Sequence, residues 1–249
     1  MTGTAELADV LHALLYDKEF RDAFIMEGPQ GASLDLTQSQ RDALSAVDLD
    51  ELVRTTSRVR SMVLRGHTEG NGGLRLSFAK TLAALGNETD LCARFLASPR
   101  FLPFREIPYG ERGTSLEECF YEFLRERDVS AEILFLATHE LFHALIRHVR
   151  SGALATFDVR VGLFRTNGRA WYGVLEHRAE LCRRYDIQPA VDGLVVYAVG
   201  AKGVINGQCP PWLGDLLDLG DLAVLADKHG VALAELSQAA QRMAELGLC

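Results

Sequence analysis

Apolar residues recur every three or four positions through most of the first 151 residues, the spacing that gives an α-helix one buried face. The pattern predicts helices over 4–26, 37–47, 48–63, 74–86, 91–96, 114–124 and 132–150. Capping residues at Thr37, Asp48 and Thr114 mark three of the starts, two of them as the first residue of a capping box. No strand is predicted before residue 152.

From Gly152 onward the pattern becomes typical of β-strands. Apolar residues alternate from Phe157 to Leu163, and Asn167-Gly168 predicts a hairpin turn that leads into a returning strand over 170–175. A third strand is predicted over 194–199, with Val204 and Ile205 pairing back onto it, and helices are expected over 210–217, 220–229 and 232–246. We therefore expect an α+β protein that is mostly α, with a helical domain over 1–151 and a small α+β domain over 152–249.

The composition limits the classes of partner that we expect for this protein. The 249 residues carry a net charge of −8, which argues against a general nucleic-acid binder. No basic leader and no apolar run of membrane-spanning length is visible, so we expect a cytoplasmic protein without a membrane partner. The five cysteines form no C-x-x-C pair and are expected to be reduced.

The predicted helix over 132–150 carries the motif H-E-x-x-H, in which His139 and His143 lie one turn apart and Glu140 follows the first histidine. Two imidazoles at this spacing can bind one zinc ion, and the glutamate can act as general base. A catalytic zinc needs a third protein ligand, and the plausible suppliers are Glu176, His177 and Glu180, of which Glu176 or Glu180 is favoured.

The same spacing also fits a helix with no metal. His139, Glu140 and His143 fall on one polar stripe, and a stripe of this kind is typical of a helix face turned to solvent. The stretch from Glu176 to Glu180 likewise fits a solvated turn after a strand. The motif therefore leaves a zinc site and a solvated helix face as alternatives.

Several leucine-rich stretches resemble a known family. They are Leu14–Phe24, Leu36–Leu44, Val47–Leu52, Leu76–Gly86, Phe95–Ser98 and Leu116–Leu124. They resemble helical partner proteins of multinuclear non-haem iron-dependent oxidative enzymes, found in bacterial clusters that make ribosomally synthesised, modified peptides. The resemblance implies a non-catalytic subunit that binds the oxidative enzyme and its precursor peptide, with the iron held by the enzyme and no cofactor in this chain.

An open sheet edge would suit such a partner, because an extended peptide can add a strand to it. The candidate edges are the apolar stretches 159–164 and 194–199, with Val159, Val161, Leu163, Val195 and Tyr197 as candidate peptide-binding residues. A plain packed sheet is the alternative for both stretches. The partner subunit is the favoured function, a zinc-dependent hydrolase or peptidase is the alternative, and a purely structural helical scaffold is a third class.

Overall fold

The computed structural model describes residues 7–30, 36–66, 73–86, 88–101, 114–152, 162–218 and 220–249. Helices dominate, and a four-stranded antiparallel sheet lies in the C-terminal part. The predicted fold class, α+β and mostly α with a helical N-terminal part, is confirmed. The chain divides into two compact units, Met1–Arg105 and Glu106–Cys249.

The first unit is helical throughout its described residues. Its helices are α1 (Leu7–Tyr16), α2 (Lys18–Glu27), α3 (Gln38–Ser45), α4 (Leu49–Arg65), α5 (Gly73–Ser77), α6 (Ala79–Leu85) and α7 (Glu88–Leu96), with short 3-10 segments at Gly28–Gln30 and Pro99–Phe101. The helix predicted over 4–26 is split because Asp17 accepts a hydrogen bond from the Phe20 backbone N–H and so starts a new helix. The buried Arg21 guanidinium donates to the carbonyls of Leu14 and Leu15 at the end of α1.

The predicted capping residues begin two of three helices as expected. Thr37 opens α3 with a complete capping box, and Asp48 caps α4. The third box lies one residue later than predicted, because Ser115 and Glu118 exchange the two capping hydrogen bonds. Glu117, the predicted partner of Thr114, instead lies 3.1 Å from the ring of His148.

The second unit contains two long helices, the sheet and the closing helices. Its elements are α8 (Leu116–Arg125), α9 (Ala131–Ser151), β1 (Phe164–Thr166), β2 (Trp171–His177), α10 (Ala179–Arg184), β3 (Gly193–Gly200), β4 (Gly203–Gln208), α11 (Leu213–Leu217), α12 (Leu222–His229) and α13 (Leu233–Glu245). The strands lie in the order β1-β2-β3-β4, each antiparallel to the next. The predicted pairing of Val204 and Ile205 with the third strand is confirmed.

The Asn-Gly hairpin forms between β1 and β2, where Thr166 pairs with Trp171. The side chain of Asn167 accepts hydrogen bonds from the backbone N–H groups of Arg169 and Ala170. Its amide nitrogen donates to the backbone carbonyls of Leu217 and Leu248. One side chain therefore shapes the turn and ties it to the closing helices.

The division between the units lies earlier than the boundary predicted near residue 152. Helix α8 packs against α9, and α9 packs against β2 and β3, so both belong with the sheet. Helical periodicity shows that a helix has a buried face, but it does not show which element covers that face.

The sheet is covered on both faces. Helix α9 lies on one face, where a Cβ built at Gly173 would lie 2.6 Å from the Phe142 ring. The other face packs on the closing helices in an apolar cluster that includes Tyr172, Val196, Ala198, Leu213, Leu216, Leu217, Leu225 and Leu236. Because side chains alternate along a strand, odd-numbered residues of β2 and β3 face α9 and even-numbered residues face the closing helices.

None of the described helices is both long enough and apolar enough to cross a membrane.

Candidate histidine centre between helix and sheet

Helix α9 carries the H-E-x-x-H motif at its middle and has a defined start and end. Ser130 caps its first turn, and Gly152 ends it in the left-handed conformation. His139 and Glu140 are buried, with 7% and 8% of their surfaces exposed, and His143 is partly buried. The interpretation of this stripe as a solvated face is wrong for His139 and Glu140, because both side chains are buried, His139 against Tyr197 of the sheet.

The two motif histidines meet edge to face. Their ring centroids are 4.6 Å apart and the ring planes are inclined by 68°. When two imidazoles bind the same tetrahedral zinc ion, each through one ring nitrogen, their ring centroids lie about 5 Å apart. The separation of the His139 and His143 rings therefore suits a shared metal ion.

Tyr197 of β3 links this helix to the sheet. Its hydroxyl lies 2.9 Å from Nδ1 of His139 and 2.7 Å from Nε2 of His177, the last residue of β2. Tyr197 is fully buried, and burial raises the pKa of its phenol far above the ordinary value, so the hydroxyl keeps its proton. His139, Tyr197 and His177 thus form one hydrogen-bonded chain.

The far side of the His177 ring is also held. Its Nδ1 lies 2.9 Å from the carbonyl oxygen of Pro189 and 3.3 Å from Sγ of Cys182. Burial lowers the pKa of His177, although the Pro189 carbonyl opposes the shift, and burial raises the pKa of the Cys182 thiol. Both groups are therefore neutral at neutral pH, which avoids burying a charge.

Of the three candidate third ligands, the structure brings only His177 toward the motif histidines, and Tyr197 links its ring to that of His139. Glu176 is exposed and belongs to the face of β2 that carries Tyr172 and Val174, opposite to α9. Glu180 is exposed in the first turn of α10. Neither carboxylate lies with the motif histidines, and the described residues contain no group of three or more His, Cys, Asp or Glu side chains that could hold a metal.

The predicted peptide-binding residues differ in their exposure. Val159 and Val161 lie outside the described residues, and Leu163 is 39% exposed just before β1. Val195 and Tyr197 are fully buried in β3, which pairs with β2 on one side and β4 on the other. The prediction that 194–199 forms an open edge is therefore wrong. Within the described sheet the edges are β1 and β4.

Comparison of the chain with protein-family models, with curated proteins and with solved structures finds no match.

Proposed function

We propose that the protein is a zinc-dependent hydrolase in which His139 and His143 bind the metal and Glu140 serves as general base. The observation that carries the proposal is the burial of His139 against Tyr197 of the sheet, with the two motif imidazole rings 4.6 Å apart. Histidines on a solvated helix face would have no reason to be held in this way.

The donor set fits zinc in its two imidazoles and in the hydrogen bond behind one of them. Metal-binding histidines almost always donate their other ring N–H to a fixed acceptor, and the Tyr197 hydroxyl lies at that position for His139. The described residues supply two of the three protein ligands that a catalytic zinc site requires. When bound, zinc supplies Lewis-acid activation of water and of a carbonyl group.

Side chains of the protein would then accept a proton and exclude bulk water. Glu140 is almost fully buried beside His139, and its carboxylate would accept the proton of the attacking water. The closely packed surroundings of Phe142 and Tyr197 keep bulk water away from the inner side of His139.

Metal content tests the proposal directly. Protein produced in zinc-supplemented medium should carry about one zinc ion per chain, and His143→Ala should lose it. His148→Ala is the matched control, because His148 lies on the same helix but pairs with Glu117 and should retain the metal. Wild-type protein free of metal, with His143→Ala equally stable, would overturn the proposal.

Activity provides the second measurement. Glu140→Gln should retain zinc and lose hydrolysis of a peptide or ester substrate by about 10²- to 10⁴-fold, because the proton acceptor is gone. If Glu140→Gln hydrolyses the substrate as fast as the wild type, Glu140 is not the base.

A second candidate is the non-catalytic partner subunit, which would bind an iron-dependent oxidative enzyme and its precursor peptide in the cytoplasm. What supports it is the outer edge of β4, along which most side chains are exposed and no described strand pairs. An extended peptide could add to that edge through its backbone. A pull-down that retains neither the oxidative enzyme nor the precursor peptide encoded near its gene would remove this candidate.

A further inference from the structure

We propose that Tyr197 and His177 are positioning residues that hold His139 in the tautomer protonated at Nδ1, which leaves a lone pair on Nε2. This inference deepens the proposed function, since the tautomer decides whether Nε2 can bind zinc. The hydrogen-bond partners alone place the protons. The starting point is His177, because one of its partners is a carbonyl oxygen, which cannot donate.

The Pro189 carbonyl settles the proton of His177. A carbonyl oxygen can only accept, so the His177 nitrogen 2.9 Å away, Nδ1, must carry a hydrogen. The Cys182 sulfur on the same side can share that hydrogen as a weak acceptor. In the neutral ring the other nitrogen, Nε2, then carries a lone pair and accepts.

The roles of Tyr197 follow from this. Its hydroxyl has one hydrogen, which it donates to Nε2 of His177 over 2.7 Å. The lone pairs that remain on the phenol oxygen can only accept, so Nδ1 of His139, 2.9 Å away, donates to them. In the neutral His139 ring the hydrogen is therefore on Nδ1, and Nε2 is the nitrogen that accepts a hydrogen bond or binds a metal.

The opposite arrangement requires a charged ring. If Tyr197 donated to His139 instead, Nε2 of His177 would need its own hydrogen and both nitrogens of that ring would be protonated. His177 is 1% exposed and lies edge-on to Phe135 with centroids 5.6 Å apart, and no carboxylate of the described residues is among its hydrogen-bond partners. An imidazolium there would be a buried charge that none of these partners neutralises, which is costly.

The consequence for His139 is chemical and orientational. A ring nitrogen that carries a hydrogen cannot bind a metal, so the network selects the one tautomer in which Nε2 can. The hydrogen bond from Nδ1 also fixes the rotation of the ring, as partners behind metal-binding histidines do in general. Tyr197 and His177 would therefore act on the metal through His139, without touching it.

Nitrogen NMR of zinc-free protein reads the tautomer without any metal or activity. Long-range proton–nitrogen correlation spectra of histidine-labelled protein should show His139 with its hydrogen on Nδ1, with His139→Gln used to assign its signals. Tyr197→Phe removes the acceptor, and His177→Phe frees the hydroxyl to turn toward His139. Both changes should increase the fraction of His139 protonated at Nε2. A wild-type spectrum with the His139 hydrogen on Nε2 overturns the inference.

Zinc affinity supplies the second readout. Tyr197→Phe should weaken zinc binding about 10- to 100-fold. Tyr172→Phe is the matched control, because Tyr172 is equally buried on the adjacent strand but faces the closing helices, and its zinc affinity should be unchanged. Equal losses in the two variants would mean a general effect of stability and would overturn the positioning role.

The two proposals fail in different ways. Wild-type protein that has His139 protonated at Nδ1 but binds no zinc supports the tautomer assignment and overturns the hydrolase. Wild-type protein that binds zinc with His139 protonated at Nε2 in the zinc-free state supports the metal site and overturns the positioning role.

Discussion

Two fully buried tyrosines on adjacent strands show how differently the two faces of one sheet are built. Tyr172 faces the closing helices and bonds to Asp218, which is itself paired with Arg165. Tyr197 faces α9, and its hydroxyl bonds to two imidazole rings, those of His139 and His177. The first arrangement connects β1 to the end of α11 through an ion pair, whereas the second connects three aromatic rings through hydrogen bonds.

The difference lies in access to water. Arg165 and Asp218 keep 48% and 42% of their side chains exposed, so their charges remain solvated while Tyr172 is buried, and burial together with the Asp218 carboxylate raises the pKa of Tyr172 to about 12. On the side packed against α9, Tyr197 and His177 are almost completely buried, and a charge on either ring would carry a large desolvation cost. We infer that the side packed on the closing helices stabilises the fold through an ion pair. The side packed on α9 instead fixes where the protons of the hydrogen-bonded rings lie.

The largest effect should come from removing a core side chain on each face. Phe142→Ala deletes a ring that contacts both Phe164 and Tyr197, and should reduce the free energy of unfolding by about 3–5 kcal/mol in urea titrations. Leu217→Ala in the opposite cluster should cost about 2–5 kcal/mol. Only Phe142→Ala should also alter the His139 ring signals, and an equal change in Leu217→Ala would contradict the separation of the faces.

A smaller effect should come from filling the space between β2 and α9. A Cβ at Gly173 would lie 2.6 Å from the Phe142 ring and 2.7 Å from the Leu163 carbonyl oxygen, so Gly173→Ala should cost about 1–3 kcal/mol. Gly207 on β4 has no heavy atom within 4 Å of the corresponding position. Gly207→Ala is thus the control, and it should change stability by no more than about 1 kcal/mol. Similar costs at the two positions would show that α9 is not tightly packed on the sheet.

The smallest effect concerns the pH dependence of the contacts that Asp215 of α11 makes with Lys228 and His229 of α12. Hydrogen bonds from Lys228 and His229 lower the pKa of Asp215, so its contribution is present above the ordinary value of about 4 and is lost as pH falls through the lowered value. Asp215→Asn should reduce stability by at most about 1 kcal/mol at neutral pH, since the pair is partly solvated, and thermal unfolding should show the difference vanish in acid. Asp227→Asn, on α12 next to Lys228, is the control. A difference that persists at low pH would exclude an ionic origin.

Local features of the fold could be predicted from sequence because neighbouring residues determine them. Asn167-Gly168 predicts the hairpin through backbone conformation, and Thr37 predicts a helix start through its own hydroxyl. The one-residue error at Ser115 has the same origin, because Thr114-Glu117 and Ser115-Glu118 both have the spacing of a capping box. Sequence pattern alone does not choose between them.

The site could be predicted only in part because its inner side is assembled from distant segments. Helical spacing places His139 and His143 together, but burial depends on a sheet that follows in the chain. Strand alternation could have placed His177 opposite to Glu176, had the face of β2 been known. Tyr197 lies in a central strand because β3 pairs with both β2 and β4, and the apolar pattern of 194–199 does not show how many neighbours the strand has.

The sheet is a meander in which every strand pairs with its neighbour in sequence. The connections span residues 167–170, 178–192 and 201–202, so all three pairings are local in sequence. Closing such loops costs less chain entropy than long-range pairing does, and topologies of this kind fold faster than those that depend on it. We therefore expect β2 and β3, and with them His177 and Tyr197, to be joined early in folding as a platform onto which α9 later docks.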